Sequence, residues 1–207
     1  MPTIARVAQS ASEDRLEKLI TERLSPNADK AAVDRRIWDL FGETWAVMFT
    51  DLSGFSRNVA EFGIIHFLQT IQESQRLLVP VLEQFDGILL KTEGDSMLMI
   101  FRTAARAVDC AGAMQEATQR YNEGRSPAEQ VLLCLGLGYG RVLRISDRDV
   151  FGSEVNAASK LGEDTAKAGE VLVTEGVRAA LKGRKDLAFR RLPKAPPGAK
   201  AAYRLLA

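Results

Sequence analysis

The sequence holds only two cysteines and one histidine among its 207 residues. Cys110 and Cys134 are too few for a disulfide scaffold, and their spacing matches no cysteine metal-binding motif. Because His66 stands alone, a histidine-rich zinc or iron centre is excluded, and so is a catalytic triad that relies on a second histidine. The chemistry must therefore be sought among other side chains.

The sequence also lacks a large net charge and a long hydrophobic run. Lys and Arg number 28 against 27 Asp and Glu, so no overall field attracts DNA or an anionic membrane. No apolar stretch reaches the roughly 18 residues of a membrane span, and charged residues interrupt 1–25, where a signal peptide would lie. We therefore expect a cytoplasmic protein with no membrane span and no nucleic-acid partner.

One stretch is locally basic. Residues 176–207 contain nine Lys and Arg against a single Asp. Nucleic-acid patches usually interleave aromatic side chains with basic ones, and this stretch does not show that pattern. We interpret it as a solvated face or as a source of attraction for polyphosphate.

The chain divides into an arm and a main domain, predicted at 1–43 and 44–207. Apolar residues recur at helical spacing in the first part, and a second short helix is predicted over 29–41. The apolar positions of the first helix are Leu16, Leu19, Ile20 and Leu24. This arm has too little apolar surface to fold alone, so we interpret it as a dimerising or packing element. The alternative is a frayed terminus.

From Trp45 onward, strand and helix patterns alternate. A buried strand precedes a helix predicted over 57–84, in which Pro80 should cause a kink or a break. A hairpin, a second helix and a long strand follow. A helix over 153–163, with Ser153 as its N-cap, and further short strands complete the chain. This order predicts an α+β fold with a ferredoxin-like βαββαβ core and a C-terminal α/β extension.

Two aspartates stand where predicted strands end. Asp51 follows the first strand, and Asp95 lies in the turn of the hairpin. If the first strand pairs beside that hairpin, both carboxylates reach the same edge of the sheet. Two carboxylates without a histidine suit Mg²⁺, which prefers oxygen ligands and leaves positions for phosphate oxygens. The alternative is that one aspartate caps a helix and the other merely occupies a turn.

The segment after Asp51 predicts a polyphosphate cradle. Leu52, Ser53, Gly54 and Phe55 lie where a strand passes into a helix, so their backbone N–H groups face outward at a helix N-terminus. Gly54 allows close approach of a ligand to the backbone.

Four segments together resemble the catalytic domain of the class III nucleotidyl cyclases. They are FTDLSGF (49–55), KTEGD (91–95), LGLGYGRV (135–142) and VFGSEVNAASKL (150–161), in the order that the family shows. The resemblance spans about 45–206. It implies that Asp51 and Asp95 are the metal ligands and that two Mg²⁺ or Mn²⁺ ions occupy each active site.

The resemblance also bears on the nucleotide base. Adenine-selective members carry Lys four residues before the second metal aspartate, and Asp, Thr or Ser seven residues before the motif asparagine. Those positions are Lys91 and Asp149 here. A lysine donates to adenine N1 and a carboxylate accepts from its N6 amino group, whereas guanine presents the reverse pattern. The alternative is a pair of exposed charges on loops.

The resemblance assigns Asn156 and position 160 to catalysis. In the family, the asparagine orients the ribose, and an arginine four residues later stabilises charge on the α-phosphoryl group. The sequence has Asn156 but Lys160, and lysine supplies charge without a bidentate fork. Lys160 as an ordinary solvated helix residue is the alternative.

Two further positions depart from the family. Many members carry a phosphate-binding arginine where this sequence has Cys134, which we interpret as a buried strand thiol. The family also often places a lysine near the C-terminus to contact the terminal phosphates. Lys194 is the candidate here, although Pro196 and Pro197 disturb the register.

The predicted function is an adenylate cyclase that converts ATP to 3′,5′-cyclic AMP and pyrophosphate by two-metal-ion catalysis. The resemblance implies a head-to-tail homodimer with two composite sites, each drawing on both subunits. The alternatives are a weak or inactive cyclase-like module for nucleotide binding or dimerisation, and a cyclase for another base.

Overall fold

The computed structural model describes residues 10–206, apart from the side chains of 55–58. The helices are α1 (Ala11–Leu24), α2 (Lys30–Phe41), α3 (Phe55–Phe62), α4 (Ile64–Gln84), α5 (Ala104–Asn122), α6 (Ser153–Gly162) and α7 (Glu175–Ala180). The strands are β1 (Gly42–Leu52), β2 (Ile88–Glu93), β3 (Ser96–Phe101), β4 (Leu133–Ile145), β5 (Asp149–Phe151), β6 (Val171–Thr174), β7 (Ala188–Arg191) and β8 (Ala202–Leu206).

One sheet organises the domain, with strand order β2-β3-β1-β4-β6-β8-β7. Its first four strands pair antiparallel in the ferredoxin-like arrangement, which confirms the predicted core. β6 then pairs parallel to β4, and β8 and β7 complete the extension. β5 lies off this path and pairs with β4.

The central strand β1 is buried on both faces, which explains its continuous apolar run. Ala46 and Met48 join the main core beneath α4 and α5, whereas Trp45 and Val47 join a second cluster that includes α6. Successive side chains of a strand point to opposite faces, so both halves of the alternation are apolar here.

Alternate glycines in β4 let α6 approach the backbone of the sheet. A Cβ atom at Gly136 would lie 2.1 Å from the carbonyl oxygen of Ala158, and one at Gly138 would lie 2.4 Å from that of Glu154. No side chain fits in that space. The glycines of the LGLGYGRV segment therefore set how closely α6 lies against the strand beside Asp51.

The structure differs from the predicted helices in three details. The helix predicted over 57–84 is two helices that break at Gly63, whose φ of 87° is accessible to glycine at little cost. Pro80 does not break α4, which continues to Gln84 with Leu78 and Leu82 buried on either side of the proline. The N-cap of α6 is Gly152, and Ser153 is the first helical residue.

The N-terminal helices pack on the far end of β4. Ser10 and Glu13 form a capping box at the start of α1, and residues 1–9 of the predicted arm lie outside the described residues. The apolar faces of α1 and α2 bury one another together with Ile145 of β4. Across residues 10–206, no helix is both long and apolar enough to cross a membrane.

Candidate active site

The two aspartates lie at one edge of the sheet. Asp51 is the penultimate residue of β1, and β1 pairs with β3 up to Thr50 opposite Met97. Asp95 lies in the turn that joins β2 to β3, where Gly94 adopts a φ of 59°. The antiparallel register therefore brings the hairpin turn beside the end of β1, as the sequence pattern predicted.

The electrostatics of this edge favour a cation. Burial, followed by the nearby charges of Asp95 and Glu163, raises the pKa of Asp51 from 3.8 to about 7, against a hydrogen bond from Ser96. A divalent ion would relieve this repulsion, and its preferred ligands are oxygens. No group of three or more His, Cys, Asp or Glu within 10–206 has the arrangement of a complete metal cage. Two carboxylates at this edge fit an ion such as Mg²⁺, which keeps several positions for water or phosphate oxygens.

Acidic residues at the end of α6 are the part of the site that sequence reasoning missed. Glu163, the C-cap of α6, and Asp164 both act electrostatically on Asp51. Their approach depends on Gly162, where a Cβ atom would lie 3.0 Å from the carbonyl oxygen of Phe49. The glycine directly before an acidic pair, at the end of a helix that packs on β1, was the available signal.

Only some of the groups in the segment predicted as a phosphate cradle are available to bind a phosphate. The Ser53 N–H donates to the carbonyl of Leu132 at 2.8 Å, so that amide already has an acceptor. Leu52 is buried in the main core. Gly54 has a φ of 91° and is the N-cap of α3, with no side-chain cap. The side chain of Phe55 lies outside the described residues.

The two predicted base-contacting residues meet each other. The Lys91 Nζ donates to Asp149 Oδ2 at 3.2 Å, although 58 residues separate them in sequence, and also pairs with Glu93 at 3.1 Å. Burial alone would lower the pKa of Lys91, but the hydrogen bonds to Glu93 and Asp149 raise it. Lys91 is therefore held as a cation beside a carboxylate acceptor.

The two predicted catalytic residues on α6 face solvent. Asn156 and Lys160 are both exposed and lie one turn apart, while the opposite face of α6 is buried. The Lys160 Nζ donates to Asp164 at 2.7 Å, and this hydrogen bond raises the pKa of Lys160. Lys160 is therefore already paired within its own helix region.

Cys134 lies directly across from Asp51 on β4. Its Sγ donates to the carbonyl of Ala166 at 3.4 Å, and burial, followed by the charge of Asp51, raises the pKa of the thiol to about 12. The thiol is therefore neutral and contributes no cation to the phosphates.

Lys194 is exposed in the loop between β7 and β8. Within the described residues it makes no ion pair. Gly198 of the same loop packs over Ser153 at the start of α6, where a Cβ atom would lie 2.6 Å from the Ser153 carbonyl oxygen. The loop therefore lies against the helix that carries Asn156.

Comparison with known proteins identifies one family. Residues 42–196 match the family described as the adenylate and guanylate cyclase catalytic domain. A putative adenylate cyclase 3 of Rhizobium meliloti is 28% identical over 144 residues, which are 70% of this chain and 24% of the relative. The serine/threonine-protein kinase pkn2 of Myxococcus xanthus is 31% identical over 134 residues, 65% of this chain and 16% of the kinase. The chain thus spans a quarter or less of these curated relatives.

Solved structures give the same fold. A structure from Silicibacter pomeroyi, described as an adenylate/guanylate cyclase/hydrolase, superposes with a TM-score of 0.70 at 26% identity, over 80% of this chain and 98% of that one. The guanylate cyclase domain of RhGC from Catenaria anguillulae in complex with GTP gives 0.66 at 21% identity, over 80% and 97%. The second likeness shows the fold alone.

Proposed function

The chain belongs to the adenylate and guanylate cyclase catalytic-domain family, and from that premise we propose that it is an adenylate cyclase that converts ATP to 3′,5′-cyclic AMP and pyrophosphate. The observation that carries the choice of ATP is the contact between Lys91 and Asp149 at 3.2 Å. It supports a base pocket that presents a donor and an acceptor next to each other.

Adenine fits that pair of groups. The Lys91 ammonium can only donate, which suits the N1 acceptor of adenine, and the Asp149 carboxylate can only accept, which suits the N6 amino group. Guanine carries a hydrogen on N1 and an oxygen at C6, so both contacts would be mismatched. A site whose polar groups are left unpaired by the wrong substrate discriminates strongly against it.

Asp51 and Asp95 would hold the divalent ions. When bound, Mg²⁺ or Mn²⁺ would activate the ribose 3′-hydroxyl and offset charge on the leaving pyrophosphate. The two carboxylates would hold those ions, and the backbone N–H groups after Gly54 would bind phosphate oxygens.

Asn156 and Lys160 would serve the site of a second subunit. Their exposure on α6 supports this role, because both side chains are available to a partner. In the head-to-tail dimer, Asn156 orients the ribose and Lys160 places a positive charge at the α-phosphoryl group. Lys194 is the candidate for the terminal phosphates.

A second candidate function is a nucleotide-binding or dimerisation module without turnover. The observation that favours it is the ion pair of Lys160 with Asp164 at 2.7 Å. An ammonium group that is already paired with a carboxylate attracts a phosphate less strongly. The neutral Cys134, in place of a phosphate-binding arginine, favours it as well.

Incubation of the purified protein with Mg²⁺ or Mn²⁺ and each nucleoside triphosphate, with the product identified by mass, tests the proposal. We expect cyclic AMP from ATP, little cyclic GMP from GTP, and no product from the Asp95→Ala variant. Cyclic GMP as the main product would overturn the assignment of the base. Tight binding of ATP without turnover would favour the second candidate.

A further inference from the structure

The residue proposed to accept from adenine sits on a short hairpin formed by residues 143–151. In this hairpin β4 pairs with β5, and Ile145 lies directly opposite Asp149 in the register. β5 has only three residues, and among the described strands it pairs with β4 alone. Two paired strands are marginally stable without packing against another element. The position of Asp149 therefore depends on what packs against this hairpin.

On one side, the N-terminal helices pack against it. Ile145 is only 3% exposed, and its neighbours in a separate apolar cluster come from α1 and α2. We call this cluster the arm core; its members are Leu19, Val33, Ile37, Phe41 and Ile145. The residue that faces Asp149 across the hairpin is thus buried by the arm rather than by the main core.

Further contacts join the same two parts of the molecule. Glu13 of α1 forms an ion pair at 3.9 Å with Arg148 in the turn of the hairpin. Leu143 and Phe151, which pair across the hairpin, line a groove with Leu16 and Trp38 of the arm. Both ends of the hairpin therefore contact the arm.

The opposite side of the hairpin is anchored in the domain. Val150 is buried in the cluster that contains Trp45 and Val155 of α6. The hairpin is thus held between the arm and the helix that carries Asn156 and Lys160. A shift of the arm would change the position of Asp149 relative to Lys91, and a hydrogen bond weakens steeply when its geometry changes.

From these contacts we infer that the arm is a positioning element for recognition of the base, and that Ile145 is the residue through which it holds Asp149 against Lys91. The inference rests on the proposed function, in which Asp149 reads adenine. Ile145 touches no substrate and acts through Asp149. Any event that loosens the arm therefore weakens selection of ATP.

A double-mutant cycle on the full chain tests this inference. The ratio of kcat/KM for ATP to that for GTP is measured for the wild type, Ile145→Ala, Asp149→Ala and the double variant. We expect Ile145→Ala to lower the ratio about tenfold, within the range of coupling between neighbouring residues. The loss should lie mainly in the KM for ATP. In the Asp149→Ala background, Ile145→Ala should leave the ratio unchanged.

Two further variants separate positioning from simple loss of stability. Ile145→Val keeps most of the packing and should keep the wild-type ratio. Leu181→Ala removes an aliphatic side chain that is 4% exposed in the main core, and should lower the thermal unfolding midpoint without changing the ratio. An unchanged ratio in Ile145→Ala, or an equal further loss in the Asp149→Ala background, would overturn the inference.

A measurement without nucleotide covers the case in which Ile145→Ala does not fold. Val33→Ala is a smaller deletion in the arm core, at a residue that is 2% exposed. We expect it to accelerate amide hydrogen exchange in residues 145–151 but not in β6. Equal protection of 145–151 in the wild type and Val33→Ala would contradict the inference.

The experiment distinguishes failure of the proposed function from failure of the inference about the arm. If the wild type turns over neither ATP nor GTP, that proposal fails, and the cycle is repeated with equilibrium dissociation constants for ATP and GTP. A preference for ATP that Ile145→Ala lowers only when Asp149 is present would then still support the arm as a positioning element. No change in that preference would reject it.

Discussion

At the scale of single residues, Asp51 shows the conflict between stability and chemistry. Its carboxylate is half-buried beside Asp95 and Glu163, so its charge is unfavourable when no cation is bound. An ordinary structural aspartate would instead have a partner that lowers its pKa. A side chain that destabilises the metal-free protein in this way fits a role as a metal ligand.

The first prediction concerns the stability of the Asp51→Asn variant in metal-free buffer. The pKa of Asp51 is raised from 3.8 to about 7. The charged carboxylate therefore lowers the free energy of unfolding of the wild type, with no loss below pH 3.8 and the full loss above pH 7. The asparagine side chain of the variant carries no charge at any of these pH values. We expect the variant to be more stable than the wild type at pH 8 by on the order of 1–3 kcal/mol. The difference should vanish near pH 4.

Urea unfolding at pH 4, 6 and 8 in the presence of EDTA measures this difference. Ser96→Ala serves as the comparison. Loss of its hydrogen bond to Asp51 should raise the pKa of Asp51 further and lower the stability of the protein at pH 8. A constant difference between Asp51→Asn and the wild type across this range would show that Asp51 does not titrate there.

The second prediction concerns Lys160, which pairs with Asp164 at 2.7 Å. An arginine at this position would offer a rigid, bidentate fork to the α-phosphoryl oxygens, whereas the lysine is a hydrated point charge. We expect Lys160→Arg to raise kcat on the order of tenfold with little change in ATP affinity, and Lys160→Ala to lower it.

Single-turnover rates at saturating ATP decide this prediction. Lys167→Arg is the matched control, because it makes the same exchange at an exposed residue outside the proposed site. Equal rates for Lys, Arg and Ala at position 160 would remove this residue from the reaction. A loss of rate in Lys160→Arg alone would mean that the geometry is adapted to lysine.

At the scale of elements, the contact between β4 and α6 determines the shape of the site. Gly136 and Gly138 leave no room for a side chain, so the helix lies directly on the strand next to Asp51. This contact presents Asn156 and Lys160 to solvent and brings Glu163 toward Asp51. A shift of α6 would therefore move Asn156 and Lys160 and, at the same time, change the distance between Glu163 and Asp51.

The third prediction tests this contact with Gly136→Ala. The new methyl group would lie 2.1 Å from the Ala158 carbonyl oxygen, so the helix must move or the backbone must distort. We expect a loss of stability of about 1–3 kcal/mol and a fall in cyclase activity. Thermal unfolding and the activity assay give the two readouts.

Gly112→Ala is the matched control for this substitution. Gly112 lies inside α5 with nothing within 4 Å of the added Cβ atom, so alanine should stabilise the helix by up to about 1 kcal/mol. If Gly136→Ala proved as stable as Gly112→Ala, that result would contradict the close packing of α6 on β4.

At the scale of the whole molecule, the proposed residues fall into two groups, one at the end of the central strand and one on the exposed face of α6. Asp51 lies at the end of β1 and Asp95 in the adjacent turn between β2 and β3, whereas Asn156 and Lys160 are exposed on α6. A head-to-tail pair of subunits would combine one group from each chain. Each dimer would then contain two composite sites.

The fourth prediction follows from this arrangement. Asp95→Ala and Asn156→Ala should each be inactive alone, and mixing them should restore activity. One of the two sites in the mixed dimer contains only intact residues, so a random mixture should recover up to about a quarter of the wild-type activity. The assay is repeated across mixing ratios, with heterodimers detected by native mass spectrometry. Heterodimers that form but stay inactive would refute the shared site.

The sequence by itself determined the fold class and the order of most elements, but not the short strand β5 or the division between α3 and α4. Both faces of β1 and the helical stripes of α4 and α5 are apolar, so local periodicity encodes which surfaces are buried. The four motifs likewise indicated the family, because each depends on residues that are close in the chain. Where local pattern was ambiguous, the prediction failed: the helix divides at Gly63, which was not predicted, and it continues through Pro80 to its predicted end at residue 84.

Only the tertiary structure decided which distant groups meet. The contact of Lys91 with Asp149 joins residues 58 positions apart, and the approach of Glu163 to Asp51 depends on the packing of α6 on glycines. The acceptor for the Ser53 N–H and the burial of Ile145 by the arm are also products of long-range packing. Periodicity specifies which face of an element is buried, but the partner of that face depends on the shapes and volumes of all the elements together.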